Sequence, residues 1–175
     1  MPNFALESQG ARVIADLSSD THWTKERTWN ILDILTYNWY SEKKHRTVIQ
    51  GRPSLNPGEC WPFKGDQGHL FISLSHPVNI SHVTLGHITE RQSPTGTIPS
   101  APREFSVYGF TTTDDKGVFL GGHVYERDGP AYQTFTMPNP NIGVFGYVKL
   151  VIENNWGEKN HTCVYTFKVH GTIPT

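Results

Sequence analysis

The chain has 175 residues, enough to bury one sizeable core, and carries 15 Lys and Arg against 16 Asp and Glu for a formal net charge of −1. That balance leaves no basic field to attract a phosphate backbone and no acidic tail, so nucleic acid is not an expected partner. No apolar run approaches the ~20 residues of a membrane span, and the N-terminus lacks the charged-then-apolar order of a signal peptide.

The first distinctive segment in chain order is 21–46, THWTKERTWNILDILTYNWYSEKKHR. It lacks Gly and Pro and holds three of the five tryptophans, Trp23, Trp29 and Trp39. Trp29, Leu32 and Leu35 stand at roughly helical spacing. Ile34, Leu35, Tyr37, Trp39 and Tyr40 also suit an extended hairpin, and both readings are open. An insertion with more apolar surface than a loop needs reads as a partner surface, or else as a lid packed on its own domain. The block Pro57-Gly58-Glu59-Cys60-Trp61-Pro62-Phe63 follows. Beyond it, strand-like alternation places Leu70, Ile72 and Leu74 on one face, then Val83, Leu85 and His87, then Phe105 and Val107, then Val148, Leu150 and Ile152. A last run extends from Val164 to His170. Turn residues separate these runs, among them Ser93-Pro94-Thr95-Gly96, Asp114-Asp115-Lys116-Gly117 and Pro138-Asn139-Pro140-Asn141. With 16 Gly and 12 Pro, the pattern predicts an all-β fold, an antiparallel sandwich or barrel.

Cys60 and Cys163 are the only cysteines. Each sits beside aromatic residues, which suggests one long-range staple rather than a metal cage; two buried free thiols are the alternative. If oxidised, the pair closes a loop of ~100 residues, worth roughly 4.7 kcal/mol in the chain-entropy model. Sequons at Asn79 and Asn160 add a modest pointer to an oxidising lumen. The nine histidines raise a metal-enzyme reading. However, His69, His76, His82 and His87 lack both the helical i, i+4 pair and the Cys/His spacing of a zinc site. No GxSxG elbow exists, Asp114-Asp115 lies in a turn, and no catalytic residue is assigned.

Three blocks carry a family resemblance: the PGECWPF block; Ser100-Ala101-Pro102-Arg103-Glu104-Phe105-Ser106-Val107-Tyr108-Gly109; and Asn155-Trp156-Gly157 with the run from Thr162-Cys163 to His170-Gly171. In order and spacing they resemble the SUN domain over nearly the whole chain, beginning at Phe4-Ala5-Leu6. Gln50-Gly51-Arg52-Pro53 is closer to germ-cell members of that family. The resemblance implies one domain spanning residues 1–175. Its fold would be a galactose-binding-like jelly roll with 21–46 as an N-terminal lid and a Cys60–Cys163 disulfide, and it would perform no catalysis. It implies a module facing the perinuclear space, part of an inner-nuclear-membrane protein of the nuclear envelope. Membrane attachment would come only through a transmembrane segment outside this sequence, and homotrimerisation through a coiled coil also outside it. Its expected partner is the C-terminal peptide of a KASH protein, in a bridge between nucleoskeleton and cytoskeleton.

On that reading the peptide adds as a strand to the lid, near Leu32, Leu35, Trp39 and Tyr40. Its terminal carboxylate takes hydrogen bonds at Ser100, His161 and Tyr165, with His87 along the path. Main-chain carbonyls of Ile49, Arg52, Ser54, Glu59 and Tyr165, in and beside the loop 49–60, are expected to hold a monovalent cation, K+ or Na+. The chain departs from the family at three places. His161 stands for a tyrosine, Glu59 for an asparagine, and Ser18 near the cysteine that cross-links some members to their partner, so a non-covalent bridge is expected. Asn79 is the more plausible glycan acceptor, while Asn160, beside the pocket, is expected to be unmodified. The rival reading is a discoidin-like carbohydrate-binding module, with Trp61 or Tyr108 stacking on a sugar. The long lid argues against it, since a sugar-binding sandwich needs none.

Overall fold

A computed structural model describes residues 1–23 and 30–175. Among them are β1 (Arg12–Val13), α1 (Ile31–Thr47), β2 (Trp61–Lys64), β3 (Gly68–Gly86), β4 (Glu104–Phe110), β5 (Val118–Val124), β6 (Tyr132–Thr136), β7 (Phe145–Ile152), β8 (His161–Val164) and β9 (Thr166–Thr172). The ladders are antiparallel.

β3 organises the sandwich. Its first part pairs with β1 and β7, and the sheet continues through β4 to β5. Its second part, from Asn79 onward, lies between β9 and β6. The register shifts between Ser73 and Val78, around Pro77, which has no N–H to give a ladder. That break lets one strand change partners and serve both faces.

The predicted alternation of Leu70 and Ile72, of Phe105 and Val107, and of Val148, Leu150 and Ile152 places every one of these side chains in the core. Val83, Leu85, Phe167 and Val169 complete it from the other face. Each such burial is worth about 1.5–3 kcal/mol relative to an exposed position.

The final run from Val164 to His170 is not one strand. β8 pairs with β2 and β9 pairs with β3, and Tyr165 belongs to neither ladder. Cys60 and Cys163 form a disulfide with a Cα–Cα distance of 5.6 Å across a separation of 103 residues. It ties the loop ahead of β2 to β8.

The lid, for which helix and hairpin both stood open, is helical over Ile31–Thr47. Local chemistry explains the choice. The Asn30 side chain accepts from Asp33 N at 2.9 Å, and Asp33 Oδ2 accepts from Asn30 N at 3.1 Å, which is a complete capping box. Asp33 lies in the first turn and Lys44 and Arg46 in the last, matching the helix dipole. Trp29, one of the residues behind the helical reading, lies outside the described residues.

The helix is attached mainly through its C-terminal half. His45 is buried against Trp61 at 5.1 Å between ring centroids. Arg46 makes a two-pronged contact to Glu7 at 2.9 and 3.0 Å, whose hydrogen bonding holds the Glu7 carboxyl below its ordinary range. Nearer the middle, Tyr37 Oη accepts from Thr21 N at 3.1 Å, and Ser41 Oγ lies 2.7 Å from Thr21 Oγ1.

Candidate functional site

The break after Val164 leaves Tyr165 with a free role. Its phenolic oxygen accepts the backbone N–H of Gly58 at 3.0 Å. Because that lone pair is engaged, the hydroxyl proton is left to point elsewhere as a donor. Burial raises the phenol's pKa, opposed by the Gly58 hydrogen bond, so the group keeps its proton. Gly58 has φ +84°, a conformation other residues adopt only at a cost, which is the physical reason for a Pro-Gly turn here.

Tyr165 lines a cavity of about 300 Å³ together with His87, Ser100, Glu158 and His161. The three predicted carboxylate positions, Ser100, His161 and Tyr165, therefore line one space together with His87. The carbonyl of Ser100 fixes the wall by accepting from Cys163 N at 2.9 Å. His161 Nδ1 lies 3.6 Å from Glu158 Oε1, and its ring is parallel to that of His22 at 6.0 Å.

His87 is a different kind of member. Its Nδ1 lies 2.9 Å from the carbonyl of Ile88, which can only accept, so Nδ1 carries the hydrogen. Nε2 is then the bare acceptor of a neutral ring, and it is buried without a hydrogen-bond partner among the described residues. Burial lowers the pKa to about 4, only partly offset by the Ile88 contact. His87 thus suits an incoming N–H or O–H rather than a carboxylate.

His161 also lines a neighbouring groove of about 420 Å³, bounded by Tyr40 and Lys44 of α1 on one side and by Cys60, Pro62 and Cys163 on the other. A further cleft shares His22 and Trp23 with this groove and reaches Ile34 and Tyr37. Together these spaces form a path from the Tyr165 cavity along the β2–β8 edge beneath the helix. Of the predicted lid contacts, Tyr40 faces the path. Leu32, Leu35 and Trp39 do not; they are 72%, 60% and 63% exposed. The helix turns Tyr37, Tyr40, Ser41 and His45 inward and leaves Leu32, Leu35 and Trp39 outward, the reverse of an ordinary surface helix. As a helix it offers no strand edge.

His22 and Lys44 were not singled out from sequence. Lys44 sits in the groove with its pKa lowered, first by burial and then by Lys43. No local motif marks either residue; only the folding of the helix over β2 brings them in.

The loop 49–60 is occupied by the chain's own donors. Ile49 O accepts from Glu7 N at 2.8 Å and Arg52 O from Tyr132 Oη at 3.3 Å. Glu59 O and Tyr165 O both accept from a single nitrogen, Arg52 Nη2, at 2.8 and 3.0 Å. Four of the five carbonyls assigned to a cation therefore already have protein donors, and a positive group lies between two of them. These residues fit a free metal ion poorly.

Asn79 lies within β3, half-buried, with Nδ2 donating to Gly143 O at 2.9 Å. A glycan on that nitrogen would disturb this bond, whereas Asn160 is exposed. Ser18 is committed, donating to Ile14 O and accepting from Phe71 N, each at 2.9 Å.

The fold is that of galactose-binding-like jelly rolls. A family 32 carbohydrate-binding module from Streptococcus pneumoniae EndoD superposes with a TM-score of 0.65 over 98% of this chain and 100% of its own, at 13% identity. Allantoicase from Saccharomyces cerevisiae gives 0.63 over 98% and 43%, at 15% identity. Such identities establish architecture alone. Sequence narrows the class. The family model described as Sad1 / UNC-like C-terminal matches residues 38–173, and the chain belongs to that family, the SUN domain. It is 40% identical over 173 residues to human SUN domain-containing protein 1, covering 98% of this chain and 22% of that protein. It is 39% identical over 175 residues to bovine SUN domain-containing protein 3, covering 98% and 47%. The chain thus spans less than half the length of either relative.

Proposed function

We propose that this chain is a non-enzymatic binding module that captures the free C-terminus of a KASH protein. The observation that carries the reading is the Tyr165 hydroxyl, held by Gly58 with its proton available, beside a cavity shared with Ser100 and His161, the last of which also lines the groove under α1. The uncharged hydroxyls of Ser100 and Tyr165 suit a terminal carboxylate, and the bare Nε2 of His87 suits a main-chain or side-chain N–H just before it. In this reading the module works in the perinuclear space as part of a homotrimeric inner-nuclear-membrane protein, linking nucleoskeleton to cytoskeleton.

Capture is non-covalent: both cysteines are spent in the disulfide, and Ser18 is in place of a thiol. The helical lid is the pose that withholds a strand edge, and strand addition requires α1 to give way. The sugar-binding rival loses one platform, because Trp61 is fully buried.

Fluorescence anisotropy with a KASH-type peptide tests the proposal. The free acid is expected to bind at least about tenfold more tightly than its C-terminal amide, the scale of one or two hydrogen bonds to a charged group. Equal binding of acid and amide, or glycan binding without peptide binding, would overturn it.

A further inference from the structure

We propose that the guanidinium of Arg52 is the built-in cation of the loop 49–60, standing where a free monovalent ion would otherwise be needed. The geometry is that of a bridging positive charge. One nitrogen, Nη2, lies 2.8 Å from Glu59 O and 3.0 Å from Tyr165 O, and so joins the end of the loop to the break between β8 and β9. The second terminal nitrogen, Nη1, lies 3.2 Å from Glu59 Oε2. The Arg52 side chain is only 17% exposed, and a guanidinium keeps its charge at any ordinary pH. Its own carbonyl accepts from Tyr132 Oη, which holds the residue from the other side.

Two features of the sequence follow from this. Glu59 supplies the carboxylate that a resident arginine can use and a site built for an ion does not require. Asn56 Nδ2 steadies that carboxylate at 3.3 Å from Oε2. The cost of the arrangement is Arg52 Nε, which is buried without a partner among the described residues. A covalently attached cation also behaves differently from a dissolved one. A bound ion stabilises by mass action and weakens as its concentration falls, whereas a side chain is always present. The loop that carries Gly58 to the Tyr165 hydroxyl is therefore set by the chain itself, whatever the salt.

Thermal unfolding of the whole chain at matched ionic strength in potassium, sodium and choline chloride tests this, with no reference to any partner. The unsubstituted chain is expected to melt at the same temperature in all three. Arg52→Gln is expected to melt roughly 5 °C lower in choline and to recover part of that loss in potassium or sodium. An Arg52→Gln chain that melts like the unsubstituted one in every salt overturns the proposal. So does an unsubstituted chain that loses stability when potassium and sodium are both removed, a result that stands even if the variant fails to fold.

Discussion

The backbone N–H of Gly58 and the phenolic oxygen of Tyr165, 107 residues apart in sequence, meet at 3.0 Å. A turn in one loop thereby sets the direction of a hydroxyl proton in another part of the fold.

Gly58→Ala isolates that contact. No atom lies within 4 Å of the position an added Cβ would take, so the penalty comes from the backbone at φ +84°, about 1–2 kcal/mol. The expected outcome is a melting temperature lower by several degrees and peptide affinity reduced about five- to tenfold. Gly10→Ala is the control, since it also has positive φ and open space but lies away from the cavity. It should lower stability alone; equal affinity losses in the two variants would refute the coupling.

Asn30→Ala probes the lid. Removing the cap costs an N-terminal helix about 1 kcal/mol. If α1 must give way for a strand to be added, the competent fraction rises and affinity increases up to about fivefold. Circular dichroism should show reduced helix with unaltered β signal. A weaker peptide complex would mean that the helix itself is the binding surface.

His87 predicts how stability follows pH. Its folded pKa lies below the ordinary value, so the unfolded chain binds the proton more readily. Stability is full above about pH 6.5 and declines as pH falls toward about 4. The shift corresponds to roughly 3 kcal/mol at most. Burial moves His45, His69 and His170 in the same direction. Urea midpoints at pH 7.5 and 4.5 should therefore diverge less for His87→Gln than for the unsubstituted chain. Parallel losses would show that His87 does not contribute.

Much of this was legible in the residues. Leu70, Ile72, Val107, Val148 and Leu150 announce their burial through period-two alternation, because each lies in a strand with one face on the core. The short strands β5 and β6 carry no such pattern, since β3 and β4 alone supply their pairing. The run after Cys163 looked continuous because Tyr165 and Phe167 keep the alternation, while the chain changes ladders between them. For the lid, composition left two readings open, and Asn30 with Asp33 decided it. Ser100, His161, Tyr165 and His87 were named through family likeness and do meet in one cavity. Leu32, Leu35 and Trp39 were expected at the peptide path and lie outside it. The placement of the Arg52 guanidinium is not legible in sequence, because carbonyl ligands are blind to side-chain identity and only the fold shows a side chain turning back on its own loop.

The β2–β8 ladder is short, four residue pairs from Trp61↔Val164 to Lys64↔His161, and Pro62 has no hydrogen to contribute. Tension applied to a polypeptide seated beside it would unzip such a ribbon rung by rung. The bond between Cys60 and Cys163 clamps its head, so the pull must be shared by the whole ribbon at once and passed on to the body of the sandwich. On the proposed reading, a grip made of weak contacts would thereby be mounted on a covalent bracket.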